Sequence, residues 1–137
     1  MSKTYDVVAT IADSTPYETN IRTRQHQIIS DEPEENGGQA KGPSPTEYIL
    51  SGLGSCIVIT LRMYADRKEW PLKKATVSLH ADRERGENGF RTTIYKKLKV
   101  EGDLDEKQRN RLAQIADKCP VSKMLAGDIT HETEIVE

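Results

Sequence analysis

From Tyr48 to Ala65 the chain carries apolar or small residues on every face that a helix would present, with Arg62 the only charge. An ordinary surface helix shows one apolar stripe, so a segment of this kind must be buried nearly all round. That is hard to arrange here, because only 35% of the 137 residues are hydrophobic and 5% aromatic, while 31% are charged. So small and charge-rich a domain has little apolar mass with which to wrap a helix. The segment therefore argues for an obligate homodimer whose interface covers it; a helix wrapped by its own sheet is the alternative. Pro45, Thr46 and Glu47 open the segment with a proline near the first turn and an acid beside it, which suits a helix N-terminus, and the pattern reaches about Lys68.

The flanking segments read differently. Tyr5 to Ala12 and Tyr17 to Ser30 are rich in β-branched residues and form an N-terminal hairpin across the Asp13-Ser14-Thr15-Pro16 turn cluster. Asp31 to Pro45 holds three prolines and three glycines without periodicity, which predicts a long surface loop of the kind that borders sites. After Trp70-Pro71, Val77, Leu79 and Ala81 alternate with Thr76, Ser78, His80 and Asp82. Phe90 to Glu101 returns beside them as the second strand of another hairpin. Asp103 and Glu106 make a capping-box pattern, and Leu112, Ile115, Ala116 and Cys119 follow at helical spacing, predicting a helix that ends near Cys119. Pro120 opens a short helix, Val121 to Ala126, stopped by Gly127, and Asp128 to Val136 closes the chain as a strand. The order predicts a single α+β domain over residues 1–137, with helices packed on antiparallel sheet.

Charge and composition exclude several partners. The 20 Lys and Arg nearly balance 22 Asp and Glu, so no basic field is available to grip a phosphate backbone, and no nucleic-acid partner is expected. The N-terminus lacks the apolar run of a signal peptide, and no ~18-residue stretch is uninterruptedly apolar, so the expectation is a cytoplasmic protein without a membrane partner. His26, His80 and His131 are scattered, which offers no zinc site, and no phosphate-binding glycine loop is present; no cofactor is expected.

Two cysteines in such a chain leave redox or nucleophilic chemistry open. Cys56 lies mid-helix among Ser51, Gly52, Gly54 and Ser55, whose small side chains leave room beside sulfur for another backbone or a ligand. Equally, it can be a small core hydrophobe. Cys119 precedes Pro120 at the N-cap of the short helix, where unpaired N–H groups favour a thiolate, yet it also completes an apolar stripe.

The block from Gly42 to Cys56, GPSPTEYILSGLGSC, together with Cys119-Pro120-Val121-Ser122-Lys123-Met124-Leu125, resembles the OsmC/Ohr family of osmotically inducible and organic hydroperoxide resistance proteins. The resemblance implies an intertwined homodimer, with β-sheet regions packed on long central helices, and thiol peroxidase activity. It implies Cys56 as the peroxidatic residue, oxidised to a sulfenic acid by an organic hydroperoxide, and Cys119 as the resolving residue that closes a disulfide. A dithiol such as a lipoylated protein then restores both. The resemblance also implies an active-site arginine oriented by a glutamate directly after the motif proline, where this chain has Thr46, with Glu47 one step later. One step turns a helical side chain by ~100°, and Glu47 lies ~13 Å along a straight helix from Cys56. Arg24 and Arg22, placed with His26 on one face of the second strand at period 2, are the arginine candidates; a solvated strand face is their ordinary role. The alternative to a peroxidase is a non-catalytic OsmC-like protein that binds a small apolar ligand at the dimer interface.

Overall fold

In the computed structural model, which describes residues 2–136, the chain forms strands β1 (Val8–Ile11), β2 (Thr19–Thr23) and β3 (His26–Ser30), then helix α1 (Pro45–Lys68). Strands β4 (Leu72–Gly86) and β5 (Gly89–Gly102) and helices α2 (Glu106–Ala116) and α3 (Pro120–Ala126) follow. This is an α+β architecture with two antiparallel sheets, β1-β2-β3 and β4-β5. The described residues divide into two compact units between Leu50 and Ser51, within α1.

In the first unit, the segment read as one strand from Tyr17 to Ser30 is two strands. Thr23 pairs with His26 across a two-residue turn, Arg24-Gln25, with Arg24 at φ 51°. Such a turn needs positive φ and usually announces itself by Gly or Asn, neither of which is present here. The period-2 face through Arg22, Arg24 and His26 is therefore broken at the turn. Beyond β3 the irregular segment is stapled to itself. The carboxylate of buried Asp31 accepts from Glu32 N–H at 2.8 Å and Lys41 N–H at 3.2 Å, and the Ser30 hydroxyl donates to Pro43 O at 3.0 Å. A Cβ at Gly42 would run into the Ile29 carbonyl, so the loop closes only around glycine. Among the described residues of this unit no apolar side chain is buried, and Val8, Ile11, Ile28 and Ile29 are exposed.

Helix α1 begins with a reciprocal capping box. Ser44 N–H donates to Glu47 Oε1 at 2.9 Å, and Glu47 N–H to Ser44 Oγ at 3.3 Å. The hydrogen bonds from Ser44 hold the Glu47 carboxyl below the usual glutamate range. A carboxyl lowered on folding stabilises the fold above its unfolded value, so this contribution is present at neutral pH and fades as the pH falls through the lowered value. Ser44→Ala should cost about 1 kcal/mol, seen as a fall in thermal midpoint of roughly 3–5 °C by circular dichroism at pH 7.

The second unit holds the buried core. Leu53, Ile57, Leu61 and Ala65 form an i, i+4 stripe on α1, buried with Leu72, Leu104, Leu112 and Cys119. Val77, Leu79, Ile94, Leu98 and Val100 of the hairpin pack against that cluster. A Cβ at Gly54 would lie 3.1 Å from Leu79 Cδ1, so glycine lets helix and sheet approach closely. Arg62, the one charge in the apolar segment, donates to Leu72 O at 2.7 Å and Lys73 O at 3.3 Å, which satisfies carbonyls at the register irregularity opening β4.

Burial of α1 is narrower than its composition predicts. Within one chain the stripe is covered, while Ile59 is 49% and Met63 64% exposed. By length and composition α1 could cross a membrane, with a mean hydropathy of 1.4, but its stripe packs on its own chain as a core helix does.

Two other expectations are corrected. Helix α2 is capped by Asp105 with Gln108 rather than Asp103 with Glu106, because Gly102 at φ 145° and buried Leu104 carry the chain two residues further before it can coil. Residues 128–136 form no strand: a strand needs a ladder partner, and here Ile135 and Val136 stay exposed without one.

Candidate active site

Helix α3 brings the two cysteines to one place. Cys119 is its N-cap, in extended geometry at φ −68° and ψ 148°, and Pro120 at the first helical position has no N–H to give. The next two backbone donors lack helical partners and turn to sulfur. Val121 N–H points at Cys56 Sγ at 3.5 Å, and Ser122 N–H at Cys119 Sγ at 3.4 Å. Both are free thiols, and consecutive N–H groups of one helix turn point at them. They differ in access: Cys56, halfway along α1, is half-buried, whereas Cys119 is 0% exposed.

A third residue completes the cluster. Ser122 Oγ lies 3.1 Å from Cys119 Sγ and accepts from Lys96 Nζ at 3.2 Å; the same ammonium sits 3.2 Å from Asp117 Oδ1. Burial pushes the Cys119 thiol up. The Ser122 hydroxyl and N–H, the neighbouring Cys56 thiol and the Lys96 charge together outweigh it and hold the thiol below its usual range.

The register explains how a lysine reaches this position. Opposite residues of an antiparallel pair share a face, and Ala75 pairs with Val100, Val77 with Leu98, Leu79 with Lys96 and Ala81 with Ile94. Lys96 thus occupies an inward position of an otherwise apolar stripe, and its side chain is 24% exposed. Beside it, Leu53, Thr92, Ile94, Ser122, Leu125 and Ala126 line a groove of about 250 Å³.

The structure brings Cys56 and Cys119 together within the second unit. Arg22, Arg24 and Glu47 belong to the first: Arg22 within β2 opposite Val8 and Gln27, Arg24 in the β2–β3 turn, and Glu47 in the cap of α1. A concavity of about 940 Å³ in the second unit lies away from the thiols between α2 and the end of α1. There Arg111 Nε donates to Tyr64 Oη at 3.1 Å, which lowers the Tyr64 hydroxyl from its usual range. Its lining contains no cysteine.

The family model described as OsmC-like protein matches residues 38–134, a span that includes both cysteines. The chain belongs to the OsmC-like protein family. Among curated proteins none matches it in sequence. Solved structures agree in fold. The OsmC-like protein of Mycoplasma pneumoniae superposes with a TM-score of 0.77 at 24% identity, covering 93% of this chain and 90% of that one. An organic hydroperoxide resistance protein OsmC from Legionella pneumophila gives 0.70 at 19%, covering 91% and 90%. An organic hydroperoxide resistance protein from Elizabethkingia anophelis, with thiocyanate bound, gives 0.70 at 17%, covering 93% and 91%. In this OsmC-like chain the residues that sequence reasoning overlooks are Lys96 and Ser122. Period-2 counting along β5 exposes the first as a charge on the apolar stripe, and Ser122 follows the capping cysteine by three, where an N-cap partner belongs.

Proposed function

We propose that this chain is a thiol peroxidase that reduces organic hydroperoxides through Cys56 and Cys119. The observation that supports it best is the pair itself: two free thiols, one reachable and one buried, sharing the first free N–H groups of α3. Cys56 sulfur, as thiolate, attacks the terminal oxygen of the hydroperoxide; the S–O bond forms as the O–O bond breaks, and the departing alkoxide takes up a proton to leave as the alcohol. Cys119 thiolate then attacks the sulfenic sulfur; the S–S bond forms, and hydroxide departs as water after gaining a proton. A dithiol such as a lipoylated protein reduces the disulfide and is itself oxidised. The neighbouring groove, with Leu53, Ile94 and Leu125 in its wall, suits an alkyl substituent better than a charged one. Such a cycle belongs in a reducing compartment such as the cytoplasm.

The same reading assigns the activating arginine to Arg24 or Arg22, oriented by Glu47, and completes the molecule as a homodimer. The dimer draws support from exposed Ile59 and Met63 on α1 and from a first unit with no buried apolar side chain among its described residues. A second reading, a non-catalytic OsmC-like protein, rests on the apolar wall of the groove. Thiol titration before and after one equivalent of an alkyl hydroperoxide separates the two. The peroxidase loses both thiols together and regains them with a dithiol; a binding protein keeps both, and that outcome would overturn the proposal.

A further inference from the structure

The apolar stripe of β5 runs Ile94, Lys96, Leu98, Val100, and a lysine in that row has to be held by something. Its ammonium is held by two acceptors, Asp117 Oδ1 and Ser122 Oγ, each at 3.2 Å. Asp117 is 75% exposed, so water screens that ion pair and it contributes little. The contact with Ser122 faces inward. A hydroxyl has one proton to donate and two lone pairs. With Lys96 on one lone pair, the Ser122 hydroxyl stands 3.1 Å from Cys119 Sγ. It accepts from the thiol or, once the proton has left, donates to the thiolate. The charged and titratable groups that bear on Cys119 from the packed elements are Cys56 on α1, Lys96 on β5 and, on the far side of the ammonium, Asp117 after α2.

We infer that Lys96 is a positioning residue of the thiol pair: acting through the Ser122 hydroxyl, it presents the Cys119 sulfur as the nucleophile that closes the disulfide on Cys56. This rests on the peroxidase reading for its role in turnover, and on geometry alone for its effect on Cys119. In the step it serves, the Cys119 thiolate donates an electron pair to the sulfenic sulfur of Cys56, the S–O bond breaks, and the released hydroxide is protonated to water. The oxidising equivalents come from the hydroperoxide consumed beforehand.

The test begins in a Cys56→Ser chain, where Cys119 is the only cysteine and its ionisation is read from thiolate ultraviolet absorbance without any peroxide. Lys96→Met places an apolar side chain of similar length on an apolar stripe, so the fold should persist. It should move the Cys119 titration upward, while Lys96→Arg, which keeps the charge, should restore most of the original profile. Ser122→Ala should act in the same direction as Lys96→Met. With both cysteines present, Lys96→Met should slow conversion of sulfenic acid to disulfide about three- to tenfold at neutral pH, a difference that closes at alkaline pH where Cys119 ionises unaided. An unchanged Cys119 titration in Lys96→Met, or equal shifts in the Met and Arg variants, would overturn the inference. A chain inert to hydroperoxide whose Cys119 titration still depends on Lys96 would refute the peroxidase reading and leave the positioning of Cys119 standing.

Discussion

Cys56→Ser should abolish hydroperoxide turnover, by a factor of at least ~10³, because a serine hydroxyl stays protonated where a thiol can ionise and oxygen offers no sulfenic state. Cys119→Ser should behave differently. It should still consume one equivalent of peroxide at Cys56 and then halt, with the sulfenic acid trapped or driven on to sulfinic acid under excess oxidant. The asymmetry follows from access: Cys56 is half-buried and can meet a substrate, whereas Cys119 is sealed and can meet only its neighbour. Peroxide consumption per chain, with mass spectrometry of the oxidised products, reads both variants in one experiment. Equal turnover in the two would show that the roles are misassigned, and first-equivalent consumption by Cys56→Ser alone would show that they are reversed.

The sites differ in how plainly the sequence announces them. Cys119 before Pro120 is legible because capping is local: a proline at the first helical position and a side-chain acceptor just before it need no tertiary information. The β4-β5 hairpin is legible for the same reason, its alternation being a property of adjacent residues. Lys96 is legible as a charge on the Ile94, Leu98 and Val100 face of β5, but its acceptors, Ser122 and Asp117, lie 26 and 21 residues away and are supplied only by tertiary packing. The Arg24 turn is hidden because an Arg-Gln pair carries none of the usual turn chemistry, so local composition favours an uninterrupted strand. The α2 cap slips by two residues because Asp103 and Asp105 both offer a carboxylate with a suitable partner three positions on; the turn at Gly102 and the burial of Leu104 decide between them. Residues 128–136 show the limit of pattern reading, since alternation describes a strand's faces but cannot provide the edge on which it would pair.

The all-round apolar character of α1 leads to the other large effect. One chain covers the Leu53, Ile57, Leu61 and Ala65 stripe and leaves Ile59 and Met63 facing outward beside a groove that also includes Val58, Leu72 and Ala75. Full burial of such side chains is worth about 1.5–3 kcal/mol each. In a two-fold dimer every interface residue counts twice, so these two positions alone supply a substantial part of the association energy. Met63→Asp would replace that gain by two desolvated carboxylates facing a common apolar surface, each costing several kcal/mol unless paired. A net loss of roughly 5 kcal/mol weakens association by about 10³- to 10⁴-fold. Wild-type chain should therefore sediment as a dimer at micromolar concentration, with a thermal midpoint that rises with protein concentration. Met63→Asp should sediment as a monomer with a lower midpoint, and Met63→Leu, which keeps the apolar surface, should remain dimeric. The first unit, which has no buried apolar side chain among its described residues, should lose amide-exchange protection when the dimer dissociates. A wild-type chain that sediments as a stable monomer, or a Met63→Asp chain that stays dimeric, would show that this face of α1 is not what the second copy covers.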